Sequence, residues 1–529
     1  MRDTDTGRIP AYHERTKHRL ERYAAGPETL DWSAQPDPFR TFEGTDRILL
    51  PLQADRLDTS YPDLHRPDAV PPRALTLDSV GLLLELSLAL SAWKEYGPDR
   101  WSLRCNPSSG NLHPTEGYVV CQNLEGLDDG IYHYLSRDHA LERRARATAA
   151  PPGSPSRLLL GLSSIHWREA WKYGERGFRY CQLDTGHAIG ALRYAAAALG
   201  WGLRQVDTAD ADTIARLLGL DRAGDFLGAE AEEAELLLEV VIGQAAPPAL
   251  PVFADLDWAG KANVLDPHPM YHWPVIDEVA DASRGPLETT PPPPETDYPP
   301  RADLPAVAAA AVIRQRRSAQ RFDRRFELAR TDFYALLDAL LVRPGVPWDV
   351  WNHPPALHPV LFVHRVTGLA PGLYALPRSR DAETKLRAVL RPDFAWTKPS
   401  DCPPHLPLFL LAEGSCVPLA RTIACHQAIA ADSAFALGML AEFEDILSIA
   451  PWRYRQLHWQ AGLLGQVLYL EAEARRLRGT GIGCYFDDAF HELLGLSGKA
   501  FQSLYHFTVG QPLDDPRITT EAPYPRNRA

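Results

Sequence analysis

"RYCQLDTGHAIGALRYAAAALGWGLR" runs from Arg179 to Arg204, and "RYRQLHWQAGLLGQVLYLEAEARRLRGTGIG" runs from Arg453 to Gly483. Both open on Arg-Tyr-x-Gln-Leu and continue as an apolar run. Leu183, Ala188, Leu192, Ala196 and Leu199 recur at helical spacing in the first, and Leu464, Leu468 and Leu477 do so in the second. The spacing predicts one long, largely buried helix in each, ending at glycine. A chain that writes such a helix twice invites a search for a repeat before anything else.

The flanking sequence repeats in the same order. Ahead of the helices stand "LHP" (112–114) with "GLDDGIYHY" (126–134), and "LHP" (357–359) with "GLAPGLYAL" (368–376), each read as strand, tight turn and strand. Behind them come "ARLLGLD" (215–221) and "HELLGLS" (491–497), then strands closing on "VVIGQ" (240–244) and "FTVGQP" (507–512). This order predicts an α+β unit written twice. The expected layout is an N-terminal arm (1–75), a first repeat (76–250), a proline-rich linker (251–305) and a second repeat (306–520). Proline density in "SRGPLETTPPPPETDYPPRADLP" (283–305) favours an extended linker or strap.

The 529 residues exceed what one core accommodates. With 45% hydrophobic and 23% charged residues the composition is ordinary, and a net charge of -13 excludes a nucleic-acid backbone as the natural partner. The N-terminus lacks the apolar core of a signal peptide, and no stretch approaches about 18 uninterrupted apolar residues, so a cytoplasmic protein without membrane association is expected. The seven cysteines show no C-x-x-C pair, which disfavours a disulfide framework and a thiolate zinc site. His268 and His272 have ligand-like spacing, but Pro269 breaks a helix between them, so no metal is expected.

Two segments carry the chemistry. "RQRRSAQRF" (314–322) is either a solvated basic helix face or a phosphate grip of guanidinium groups with a hydroxyl donor. "NPSSGNLHPTEGY" (106–118) is a tightly turning polar loop running into a strand. Together they resemble the flavin-dependent nitroreductase superfamily. "RRSAQRF" (316–322) is similar to its opening motif, whereas "NPSSGNLHPTEGY" (106–118), "WKYGERGFRYCQLDTGHAIGAL" (171–192) and "GTGIGCYFDDAFHELLGL" (479–496) resemble its SagB-type branch of azoline dehydrogenases and thiazoline oxidases.

The resemblance implies two tandem nitroreductase-like domains forming an intramolecular pseudodimer around FMN. Family members bind FMN at a dimer interface, one subunit giving the Arg-Arg-Ser segment and a glycine loop, its partner the Pro-Ser-Ser loop. Here the second repeat keeps Arg-Arg-Ser but reads "WDVWNHPPALHP" (348–359) where Pro-Ser-Ser is due. The first keeps Pro-Ser-Ser but opens on "QPDPFRTFEG" (35–44), with one arginine and no serine. Each half retains what the other lost, so one composite site per chain is expected.

Carried over, Arg316, Arg317 and Ser318 would meet the phosphate and ribityl chain, with Arg517 a further phosphate candidate. Pro107, Ser108, Ser109, Gly110 and Asn111 would face the isoalloxazine. Thr480, Gly481, Ile482 and Gly483 would bring backbone close to it. Gln320 stands where a basic residue is common in the family, leaving Arg321 to compensate. "GTGIG" is not a dinucleotide fingerprint, for its glycines lack the strand-to-helix context. The Lys172–Tyr173 pair matches the pair that SagB-type enzymes use catalytically, and "APWRYRQ" (450–456) has no lysine there.

Three functions remain open at this point: a dehydrogenase of a heterocycle or peptide-like substrate, an NAD(P)H-dependent nitro or quinone reductase, and a flavin-free scaffold. The expected partners are a small-molecule or modified-peptide substrate and a protein of the same biosynthetic cluster, with the chain a monomer or a higher homo-oligomer.

Overall fold

The computed structural model describes residues 5–147, 155–243, 250–251, 253, 255–285, 298–351 and 353–524. Within the proline-rich linker, residues 252, 254 and 286–297 lie outside these.

Alternating and continuous apolar runs fold into two principal sheets. The first contains β1 (Thr115–Gln122), β2 (Gly130–Leu135), β3 (Ala140–Ala147), β4 (Arg157–Ser164), β5 (Gly202–Gln205) and β6 (Glu233–Val241), in spatial order β3-β2-β1-β4-β6-β5. Short strands at Arg47–Leu49 and Leu256–Trp258 extend it beyond β3. The second contains β7 (Leu357–Val363), β8 (Gly372–Ala375), β9 (Phe409–Glu413), β10 (Phe435–Glu442), β11 (Arg478–Ile482) and β12 (Phe501–Gly510), in order β9-β8-β7-β10-β12-β11. The two orders coincide strand for strand, and every pairing in them is antiparallel. This is the α+β repeat that the sequence order predicts.

Of the helices, α1 (Asp5–Arg15), α2 (His166–Tyr173), α3 (Gly177–Ala198), α4 (Ala211–Leu218), α5 (Ala309–Gln315), α6 (Arg453–Ala474) and α7 (Asp487–Leu494) matter for the site. The two long helices, α3 and α6, are the predicted pair. All of α3 and nearly all of α6 is buried, and Leu183, Leu192, Leu464 and Leu468 share one apolar cluster spanning both halves. A helix buried all round is one covered on every side. Here the cover includes the other long helix.

Glycine makes that crossing possible. A Cβ at Gly186 would overlap the Trp459 carbonyl, and one at Gly462 would overlap that of Leu183, so backbone lies on backbone. Gly462→Val is therefore expected to cost more than the ~1–3 kcal/mol typical of overpacking, because a neighbouring main chain cannot rotate away. Thermal melting of the full chain measures it.

Two local expectations need correction. The helix α6 does not run to a glycine. It stops at Ala474, and Arg476 at φ 59° turns the chain. The glycines beyond it are no loop but the edge strand β11, paired through Arg478–Ile482 with β12. Ladder pairing of Gly479 with Val509 and of Gly481 with Phe507 outweighs the conformational freedom of the two glycines. Likewise Lys172 and Tyr173 are not in a loop but end α2, which stops at Gly174 with φ 56°.

The N-terminal arm is folded in. Arg15 pairs with Glu175, and the main chains of His18 and Asp487 bond reciprocally through backbone and carboxylate at 3.0 Å. Arg301, in the described end of the linker, pairs with Glu471 of α6, so this part of the linker is a strap. No described helix is long and apolar enough to cross a membrane.

Candidate functional site

The Pro-Ser-Ser loop leaves the strand Asp99–Arg104 and turns through Gly110, Asn111 and His113, with φ of 57°, 60° and 55°. Three left-handed residues among four need fastening from outside the loop. Asp184 of α3 supplies it, accepting from the Ser109 N–H at 3.0 Å and from the Ser109 hydroxyl at 2.9 Å. Ser108 Oγ accepts from the His113 N–H at 2.8 Å, and the Asn111 amide donates to the Ser102 carbonyl at 2.9 Å. Burial pushes the Asp184 carboxyl up to about 7, against the bonds from Ser109 and Ser108. A group poised there changes charge near neutrality.

The second half meets this loop directly. The Arg316 guanidinium donates to the carbonyls of Cys105 and Arg104, each at 3.0 Å, and lies 5.0 Å above the Tyr469 ring. Its Nη1 is buried and has no hydrogen-bond partner among the described residues. Arg317 donates to Ser91 O at 3.0 Å and to its own helix end. Two arginines of the second repeat thus hold the first repeat's backbone. Ser318 shares a hydrogen bond of 2.8 Å with the Tyr469 hydroxyl, which also accepts from the Gly481 N–H at 3.0 Å.

Between the halves lies a cavity of ≈ 840 Å³. Of the sequence-predicted residues, Pro107, Ser108, Ser109, Gly110, Asn111, Tyr173, Arg316, Arg317, Ser318, Gln320, Thr480, Gly481, Ile482 and Gly483 line it. Arg517 does not: it is exposed at the surface, forked onto Asp515 and stacked on Tyr96. Lys172 also stands back from the cavity, its Nζ 5.2 Å from the ring centres of both Tyr173 and Trp32. The missing side chains of Gly481 and Gly483 make room for Tyr505 and Tyr180, whose rings a Cβ would strike.

Around Tyr173 the charges are unusual. Its hydroxyl is so close to Gly110 that a Cβ there would overlap it. Burial, then Glu169, raises the phenol well above its ordinary range. Burial lowers the Lys172 ammonium, with Glu169 opposing. Glu169 itself is wholly buried with neither oxygen hydrogen-bonded among the described residues, and burial, with Asp184 next, pushes its carboxyl well above the ordinary carboxylate range. His187 is a hydrogen-bonded core histidine, lying between Gln466 at 3.3 Å and the Tyr505 hydroxyl at 3.0 Å. Burial drops its imidazole to about 3.

Sequence reasoning missed Asp184, Tyr469 and Tyr505 as cavity residues. Asp184 carried a readable signal, a carboxylate in the middle of an apolar helix. The tyrosines carried none, since a tyrosine in an apolar run reads as packing.

Comparison with known proteins bears on the same region. The description "Nitroreductase family" matches residues 85–230. The trifolitoxin-processing protein TfxB of Rhizobium leguminosarum bv. trifolii is 29% identical over 191 residues, covering 33% of this chain and 51% of the relative. A nitroreductase-type protein of Methanocaldococcus jannaschii is 30% identical over 131 residues, covering 23% of this chain and 65% of the relative. The chain thus spans between half and two thirds of these curated relatives. A crystal structure of a nitroreductase-type protein from Anabaena variabilis, 22% identical, superposes with a TM-score of 0.69 over 96% of this chain and 99% of the other. The chain has the nitroreductase fold along nearly its whole length.

Proposed function

We propose that this chain, with its nitroreductase fold, is an FMN-dependent oxidoreductase of the SagB type, an intramolecular pseudodimer with one composite flavin site. The observation that carries the reading is the cavity between the halves, lined on one side by the Pro-Ser-Ser loop and on the other by Arg316–Ser318 and β11. Its ≈ 840 Å³ falls in the range of cofactor pockets. The unpartnered buried Nη1 of Arg316 is a donor in want of an anion. Arg316, Arg317 and Ser318 would hold the phosphate and ribityl end. Ser108, Asn111 and the backbone of Thr480–Gly483 would flank the ring.

The opposite, pseudo-symmetric place is filled. Tyr180, which lines the cavity, has Tyr454 as its counterpart in the Arg-Tyr-x-Gln-Leu match, and Tyr454 is packed under α1. His13 of α1 bonds its hydroxyl at 3.1 Å, and Tyr12 packs edge-on against its ring. Arg40, in the segment matching Arg-Arg-Ser, is buried against Glu232 at 3.0 Å. A phosphate there would face carboxylates.

Bound FMN would supply the two-electron acceptor; this chain's residues manage the proton. Tyr173, protonated at neutral pH and facing the cavity, holds a proton at its hydroxyl. Lys172, weakened as an ammonium by burial and set behind the Tyr173 ring, assists that hydroxyl in taking the proton from the substrate. The substrate class is a heterocycle in a small molecule or modified peptide. The resemblance to a toxin-processing protein favours a peptide-derived substrate and a partner protein that delivers it.

Anaerobic titration with FMN is expected to saturate at one flavin per chain. Two sites of similar affinity would overturn the composite site. Ser318→Ala and Arg316→Ala are each expected to weaken FMN roughly tenfold to hundredfold, the worth of a charge-assisted bond of about 1.5–3 kcal/mol. Melting temperature read alongside separates loss of the flavin grip from loss of the Arg316 tie between halves.

A further inference from the structure

Three distant segments meet at one wall of the cavity, beside Gly483. Cys484 lines the cavity directly after β11. Cys425 follows the helix Val417–Ile423 at a turn in which it and His426 take φ of 51° and 61°. His18 comes from the N-terminal arm. Hydrogen bonds fasten the three together: Phe486 N–H to Ile423 O at 2.8 Å, Asp487 N–H to His18 O at 3.0 Å, and the Gln427 side-chain amide to Cys484 O at 3.1 Å. Side chains complete the cluster: the Cys425 thiol, the Cys484 thiol and the His18 imidazole stand close enough for Cys425 and His18 each to shift the proton affinity of Cys484.

The imidazole is held in one tautomer. Its Nδ1 accepts the Ala24 N–H at 2.9 Å, which leaves Nε2 to carry the proton. The Arg176 guanidinium stands close by, bonded to Gly483 O at 3.1 Å and paired with Asp487 at 3.0 Å. Tyr23 packs edge-on against His18, the ring centres 5.1 Å apart. The other five cysteines are buried, whereas these two are partly exposed.

We propose that Cys484 and Cys425, with His18, form a thiol–disulfide exchange site at the cavity wall, whose ligand is a small-molecule disulfide. Cys484 is the attacking group. Its thiolate attacks one sulfur of the disulfide R–S–S–R, whose S–S bond breaks and releases a first RS⁻. Cys425 then loses its proton to solvent and attacks the Cys484 sulfur of the mixed disulfide, releasing the second RS⁻. The balance is two protein thiols oxidised to one protein disulfide and one small disulfide reduced to two thiols. Cys425 and His18, with the Arg176 charge, push the Cys484 thiol down against its burial, and the same contact pushes Cys425 up. That division of labour is the one an attacking and a resolving thiol require.

The proposal does not depend on flavin, so its test is run on the full chain with dithiodipyridine as probe, following release of thiopyridone and mapping the peptides by mass. The wild-type protein is expected to yield a peptide cross-linked through Cys425 and Cys484. Cys425→Ser is expected to stop at a stable adduct on Cys484, and Cys484→Ser to lose the fast phase. A thiolate held down in this way keeps its rate within about threefold between about pH 8 and pH 6, where an ordinary thiol loses on the order of a hundredfold. A fast phase that survives in Cys484→Ser, independent adducts on both cysteines without a cross-link, or the ordinary hundredfold fall would each overturn it.

Discussion

Tyr173→Phe and Lys172→Ala are expected to slow substrate-dependent flavin reduction by about 10²–10⁴, or roughly 3–5 kcal/mol of barrier, while the flavin's visible spectrum stays nearly unchanged. The split follows from position. Tyr173 faces the cavity across Gly110, and Lys172 stands behind its ring, both on α2 of the first half. The phosphate grip proposed for Arg316–Ser318 comes from the second half, so the flavin stays bound without either side chain. Tyr173→Phe keeps the ring that packs on Tyr180 at 4.5 Å and removes only the hydroxyl, which separates chemistry from packing. Stopped-flow bleaching of the oxidised flavin with an authentic substrate reads the rate. Parental rates in both variants would remove the proton-transfer role and make the NAD(P)H-dependent reductase the better reading.

The halves 1–285 and 300–529, made separately, are expected to be insoluble or to bind no flavin. The long helices α3 and α6 cross at Gly186 and Gly462, where each lies on the other's main chain, and one apolar cluster runs through both halves. Interfaces of this obligate kind bury on the order of 2,000–5,000 Å², which an isolated half would expose to water. Polar ties would break with it: the Arg455 guanidinium of α6 is bonded to Glu233 and Glu235 of the first sheet at 2.8 and 2.9 Å, wholly inside. A buried cation left without its carboxylates is destabilising by about 3–5 kcal/mol. Size-exclusion chromatography and flavin absorbance of each half measure the outcome. A half that is soluble and yellow on its own would refute the composite site.

What the sequence by itself determined is what local physics encodes. Apolar periodicity named the two long helices, turn residues named the two hairpins, and their common order predicted two sheets of the same plan, because these signals act between residues a few positions apart. The complementary survival of Pro-Ser-Ser in one half and Arg-Arg-Ser in the other pointed to a shared site, and both segments do line one cavity. Where local preference and long-range pairing disagree, the sequence misleads. Glycines in "GTGIG" read as a loop, yet β12 holds Gly479 and Gly481 in an edge strand, since ladder pairing with residues 30 and 26 positions away outweighs backbone freedom. Only the tertiary structure decided the rest. It joined Asp184 to Ser109 across 75 residues, turned Arg316 onto the carbonyls of the other half, retired Arg517 to the surface, and brought Cys425 and Cys484 together without any C-x-x-C spacing. Such contacts are set by which faces of which elements the core forces together, and no window of neighbouring residues contains that information.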